Sequence, residues 1–171
     1  MVKNPEKTDR RIFITGLSGS GKTTLANCIA AKTDLPVTHL DDIQTTASEE
    51  SYASAVLAAI QESEWIIEGL PGELMNPLCS RATLVLLLDI SPMHCRFRIV
   101  KRVISRFVSR AETSTNVKQY PTIRFKNLPS FVKYLKSICL QADFSGLPVH
   151  KTAVFQTSKH LRKFLIQKRW C

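Results

Sequence analysis

Gly16-Leu17-Ser18-Gly19-Ser20-Gly21-Lys22-Thr23 is the stretch on which the reading of this 171-residue chain turns. Its glycines let the backbone wrap closely enough for successive N–H groups to face one anion. Lys22 and Thr23 add an ammonium and a hydroxyl at the far end. Just before it, Ile12-Phe13-Ile14-Thr15 is a β-branched and aromatic run that stops at glycine, which predicts a buried strand. Just after it, Leu25, Ile29 and Ala30 share one side of a helix expected from Lys22 to about Lys32. That helix must end before Pro36, because proline disfavours helical geometry in the residue ahead of it. Strand, glycine loop and helix form the context in which Gly-x-x-x-x-Gly-Lys-Thr is a Walker A loop.

The helix aims the positive end of its dipole at whatever the loop holds. Gly16, Ser18, Gly19, Ser20, Gly21, Lys22, Thr23 and Thr24 are therefore expected to bind the phosphates of a nucleoside triphosphate. ATP is the expected nucleotide, since the Asn-Lys-x-Asp motif usual in guanine readers does not occur. Lys22 is expected to act in catalysis at the β- and γ-phosphates, and the Thr23 hydroxyl to hold Mg²⁺.

Further along, Pro36 to Leu40 predicts a second strand ending at Asp41-Asp42. Ser48 followed by Glu49 and Glu50 predicts a helix start, with a hydroxyl cap and acids at the positive end of the dipole. Tyr52, Ala55, Val56, Ala59 and Ile60 then fall on one helical face. Trp65 to Gly69 and Thr83 to Asp89 predict two more strands, apolar along their length as parallel strands covered on both faces are. Met93 to Arg110 reads as a helix with an apolar stripe of Phe97, Val100, Ile104, Phe107 and Val108. Residues 111–128 read as irregular, and Pro129 to about Gln141 as a further helix. Lys151 to Phe155 predicts a fifth strand, followed by a last helix capped by Thr157 or Ser158 and carrying Leu161, Phe164 and Leu165. Alternating strands and helices predict an α/β fold, three-layer α/β/α, with a mostly parallel five-stranded sheet. The expected organisation is a flexible lead-in over residues 1–10 and a single domain over 11–171, with a small helical lid at about 93–128.

Composition narrows the class of function. Hydrophobic residues make up 44% of the chain, enough for one real core. No apolar run is long enough to cross a bilayer and the first residues are polar, so a cytoplasmic protein without membrane contact is expected. The five scattered cysteines form no zinc-type spacing and their odd number argues against a disulfide framework. The net charge of +10 is unevenly spread. Residues 1–90 carry seven Lys/Arg against twelve Asp/Glu, whereas residues 91–171 carry seventeen against two. An anion belongs beside the second half: ATP phosphates, a phosphorylated substrate or nucleic acid.

Four segments together resemble a known family. The phosphate loop, Pro36-Val37-Thr38-His39-Leu40-Asp41, Glu64-Trp65-Ile66-Ile67-Glu68-Gly69 and the arginine-rich helix are similar to P-loop kinases of the DNA-topology-modulation type, relatives of adenylate kinase and shikimate kinase. The resemblance runs from about Arg11 to Leu165 and is strongest before Asp89. It implies the adenylate-kinase-like strand order, with acceptor and lid regions closing over the C-terminal edge of the sheet. Two departures stand out: Glu68 where aspartate is usual, and Ile43-Gln44-Thr45-Thr46 where an aromatic residue is common.

Phosphoryl transfer to a hydroxyl is helped by a carboxylate that takes its proton. Asp41 matches the family position and is the candidate base, and with Asp42 it is also a candidate for acceptor binding; Asp42 could instead reach Mg²⁺ through water. Glu68 and Gly69, at the end of the third strand, are candidates for acceptor contact, with Mg²⁺ or an arginine as the other partners open to Glu68. His39 reads as a packed or hydrogen-bonded histidine, and Asp89 as a strand-end cap. Arg98, Arg102, Arg106 and Arg110 recur every four residues on one helical face, and planar forks suit phosphate oxygens. Arg102 and Arg106 are expected to act in catalysis and Arg98 in substrate binding.

Three readings stay open. The first is an ATP-dependent kinase phosphorylating a hydroxyl or phosphate of a small nucleoside- or nucleotide-like acceptor. The second is a kinase acting on a modified base in nucleic acid, such as a hydroxymethylated pyrimidine in DNA. The third is a non-catalytic ATP-binding regulatory protein.

Overall fold

The computed structural model describes residues 10–112, 136 and 144–170. Five strands make one parallel sheet: β1 (Arg11–Gly16), β2 (Val37–His39), β3 (Trp65–Glu68), β4 (Leu84–Leu88) and β5 (Thr152–Val154), in the order β2-β3-β1-β4-β5. This is the order the family resemblance implies. Helices α1 (Lys22–Thr33), α2 (Leu40–Thr46), α3 (Glu49–Ala59), α4 (Met75–Arg81), α5 (Pro92–Glu112) and α6 (Ser158–Gln167) join and flank the strands.

Side chains of β1 alternate between two apolar layers, as the pleat requires. Ile12 and Ile14 face Leu25, Ala26 and Ile29 of α1, with Leu165 of α6 and Trp170 in the same layer. Phe13 faces the other way, toward Val56, Trp65, Leu78 and Val85. β1 lies between β3 and β4, so its carboxyl end, where the glycine loop begins, is flanked by the ends of both. Ligands gather at that edge of such sheets.

Helix ends follow their expected chemistry. The Ser48 hydroxyl accepts from the Ser51 N–H at 3.4 Å, and the Thr157 hydroxyl accepts from the His160 N–H at 3.3 Å.

Several expectations change. The second strand ends at His39, and Leu40 starts the seven-residue α2, so Asp41 and Asp42 sit in a first helical turn, where acids meet the positive end of the dipole. Two threonines and two aspartates in so short a segment hide it from propensity and periodicity alike. α4 escapes notice for a similar reason, since Pro77 interrupts it on paper. Pro77 is its third residue, in the turn whose N–H groups have no helical acceptor anyway.

On α5 the inward residues are Cys95 and Ile99, four apart, whereas Phe97 is 69% exposed. Both stand against Gly19 of the loop, so of the expected stripe Phe97 turns outward while Val100 is half-buried. The side chains of Ile104, Phe107 and Val108, the helix expected from Pro129, and nearly all of residues 111–128 lie outside the described residues.

Candidate active site

The glycine loop leaves β1 at Gly16, where φ is +145°, and passes Gly19 at +82° before Gly21 at +106° caps α1. Two of these glycines are set by close approach as well as by dihedral. A Cβ on Gly16 would stand 2.6 Å from the Leu88 carbonyl oxygen, and one on Gly19 would stand 2.7 Å from that of Cys95. The first turns of α5 therefore back the loop directly. Arg98 adds a tether, donating from Nη1 to the Ser20 carbonyl at 3.1 Å. The structure thus places Arg98 on the loop's own backbone.

Lys22 is buried at 8% exposure, with Nζ donating to the carbonyls of Gly16 at 3.0 Å and Leu17 at 3.2 Å. Burial lowers its pKa below the ordinary lysine value, although Glu68 and Asp41 pull the other way; Arg102 adds to the lowering. Asp41 and Arg102 thus both bear electrostatically on Lys22, one from α2 and the other from α5. An ammonium held short of counter-charge is suited to an anion. The Ser20 hydroxyl is buried with no hydrogen-bond partner among the described residues, a spare donor in the same loop.

Glu68 and His39 are adjacent in register on β3 and β2. Glu68 is two residues beyond Ile66, which packs in the α1 layer, so alternation turns its carboxylate toward α1. There the Thr23 hydroxyl donates to Oε1 at 2.9 Å, and His39 Nδ1 meets the same oxygen at 2.8 Å. Glu68 is 3% exposed, and its other oxygen, Oε2, has no hydrogen-bond partner among the described residues.

These features fit a nucleotide and its divalent cation. The positive-φ loop, the charge-starved Lys22 and the spare Ser20 hydroxyl suit phosphate oxygens. Because Thr23 commits its only hydroxyl proton to Glu68, its lone pairs are left for a hard cation, and Oε2 of Glu68 lies on the same carboxylate.

The other expected residues divide. Asp41 and Asp42 are exposed at the start of α2, with Tyr52 of α3 nearby: burial, and then Asp41, raise the Tyr52 pKa. The Asp42 carbonyl accepts from the Thr45 hydroxyl. Gly69, at φ +144°, makes room for Leu40, whose Cβ would stand 2.8 Å from a Cβ added there. Ser18 is half-buried and Thr24 exposed. Arg102 is exposed on α5, and the side chain of Arg106 lies outside the described residues. Asp89 accepts from Gln156 Nε2 at 3.1 Å, in keeping with strand-end capping.

Sequence reasoning missed the Thr23–Glu68–His39 chain, the Cys95–Ile99 seat behind Gly19 and the Tyr52–Asp41 pairing. Alternation along the third strand from Ile66 to Glu68 carried the signal for the first.

No protein-family model matches the chain. Over 52 residues, 30% of its length, it is 38% identical to a shikimate kinase of Rhodopirellula baltica, and it spans 28% of that curated relative's length. Solved structures resemble it over nearly its whole length. A gluconokinase from Sinorhizobium meliloti superposes with a TM-score of 0.56 at 14% identity, covering 94% of this chain and 90% of that one. A shikimate kinase from Bacteroides thetaiotaomicron gives 0.56 at 16%, covering 92% and 95%. The shikimate kinase from Acinetobacter baumannii in complex with shikimate gives 0.56 at 17%, covering 95% and 96%. With the strand order and the glycine loop, these likenesses define the fold: this is the P-loop fold of the small kinases.

Proposed function

We propose that the protein is an ATP-dependent kinase that phosphorylates a hydroxyl of a small polar molecule. The observation that carries this reading is Lys22, buried at the glycine loop with Nζ on the carbonyls of Gly16 and Leu17, while Glu68, Asp41 and Arg102 bear on it from three different elements.

In this reading the loop amides, Lys22 and the Ser20 hydroxyl bind the triphosphate of ATP. Thr23 and Glu68 hold Mg²⁺, which supplies charge neutralisation between the phosphate oxygens. Asp41 takes the proton of the acceptor hydroxyl as its oxygen bonds to the γ-phosphorus and the bond to the β–γ bridging oxygen breaks. Asp41 is chosen as the base because its charge bears on both Lys22 and Tyr52. Arg102, and Arg106 one turn further along α5, offset charge on the transferring group. Arg98 supports the loop through Ser20.

The acceptor side is acidic, with Asp41 and Asp42 in the first turn of α2 and Glu68 at the end of β3. Such a wall favours a neutral hydroxyl over a phosphate as acceptor, since an anionic acceptor would meet like charge. The shikimate kinase and gluconokinase names of its likenesses accord with a hydroxylated small molecule.

Transfer of labelled γ-phosphate to a panel tests this. The panel holds shikimate, sugar acids, nucleosides, nucleotides, and duplexes with and without hydroxymethylated pyrimidines. Label on a small hydroxylated compound, with little effect of salt, is expected. Label on a duplex alone, falling steeply with salt, would replace this acceptor class with nucleic acid. ATP binding without transfer to any member, unchanged by Asp41→Asn, would leave a regulatory nucleotide-binding protein.

A further inference from the structure

Glu68 has a peculiarity that holding a cation with Thr23 does not by itself require: two donors converge on one of its oxygens. The Thr23 hydroxyl and His39 Nδ1 both meet Oε1, at 2.9 and 2.8 Å, while Oε2 is buried without a partner among the described residues. A carboxylate oxygen can accept from both at once. The pairing is also built in by backbone, because His39 and Glu68 are register partners on neighbouring parallel strands. Beyond His39 the chain turns at once into α2, so the histidine closes the strand at the point where the acceptor side begins.

We infer that His39 is a positioning residue for the divalent-cation site: it pins Oε1 of Glu68 so that Oε2 is the oxygen presented to the cation. This rests on the reading of Thr23 and Glu68 as cation-holding residues. Glutamate has one more rotatable bond than aspartate, and Thr23 alone, an exposed residue, would anchor it at a single point. A second donor from the adjacent strand fixes the rotation of the carboxylate group. Since an ionised carboxylate only accepts, Nδ1 is the hydrogen-bearing partner in this contact. Outer partners of this kind orient cation-holding groups, and their loss weakens metal binding by about 10- to 100-fold.

Calorimetric titration of ATP at a series of Mg²⁺ concentrations, and in EDTA, tests the inference on the intact protein. Wild type is compared with His39→Leu, which removes the donor, and His39→Asn, whose amide N–H can take the place of Nδ1. The expected result for His39→Leu is a Mg²⁺ midpoint raised about 10-fold or more, with ATP affinity in EDTA unchanged within about twofold. His39→Asn should restore most of the midpoint. An unchanged midpoint in His39→Leu, or equal weakening with and without Mg²⁺, overturns the assignment. If His39→Leu does not fold, the ¹⁵N shifts of the wild-type imidazole decide: a protonated Nδ1 supports the assignment, and a bare Nδ1 overturns it. A wild type that binds ATP with no response to Mg²⁺ removes the cation site itself and with it this inference, and one that binds no ATP at all removes the kinase reading beneath both.

Discussion

The two sides of Lys22 are built differently. Toward β2 and β3, Glu68 is buried and held by donors from α1 and from His39. Toward α5, Arg102 is exposed and bears on Lys22 through charge. One side is assembled before any ligand arrives, whereas the other offers long, solvated side chains that a bound anion can gather. The difference teaches where each kind of charge is tolerable. A carboxylate can be buried where neighbouring donors meet one of its oxygens, whereas an arginine without a counter-charge is more cheaply left in water.

The largest effect expected is at the shared centre. Lys22→Met should reduce phosphoryl transfer by roughly 10³-fold or more, because both sides act through the phosphates it contacts. The same substitution should raise the melting temperature of the ligand-free protein. Burial lowers the Lys22 pKa, so the unfolded chain binds this proton more tightly, and near neutral pH the charge opposes folding. That opposition is complete below the depressed native pKa and fades as pH rises toward the ordinary lysine value. A thermal melt showing Lys22→Met clearly less stable would contradict the charge-starved picture.

Next comes the ordered side. Asp41→Asn should slow transfer by about 10²- to 10⁴-fold while leaving ATP affinity within a few fold, as loss of a general base does. Single-turnover rates alongside calorimetry separate the two, and an unchanged rate would remove Asp41 from the chemistry. On the solvated side, Arg102→Ala should lower the transfer rate by about 10²-fold, more than it weakens ATP binding. Equal losses in rate and affinity would mean that the arginine binds the ground state and that the contrast between the two sides is one of burial alone. The smallest effect should come from Asp42→Asn, within about threefold in kcat/KM, a change near 0.6 kcal/mol. A loss matching that of Asp41 would show that the two aspartates act as a unit.

Much of this was legible in the residues, for physical reasons that differ by element. The glycine loop is readable because its function is carried by backbone, and glycine at fixed spacing is how a sequence records backbone. β1, β3 and β4 were readable because central parallel strands are apolar throughout. α2 was not, since seven polar-rich residues become helical only through the strand that delivers them and the Leu40 anchor beneath Gly69. The site shows the same division. Lys22 and Thr23 stood out in the sequence by motif, but the contacts of Glu68 depended on which residue lies beside it in the sheet. Register between strands separated by a helix is a tertiary fact, so the His39 contact could be placed only once β2 and β3 were seen side by side. Likewise Arg98 read as a substrate-binding arginine, and its tether to Ser20 could be placed only once the close approach of Gly19 to Cys95 showed which turn of α5 touches the loop.

That touch point has a mechanical corollary. With the Cys95 carbonyl against Gly19 and Arg98 clasping Ser20, α5 is seated on the loop near one end and extends away from it. At 1.5 Å of rise per residue, Arg102 and Arg106 stand about 6 and 12 Å beyond the Arg98 clasp. A tilt about such a fulcrum would move the backbone at Arg106 roughly twice as far as at Arg102, so any reach along the helix would be graded by position.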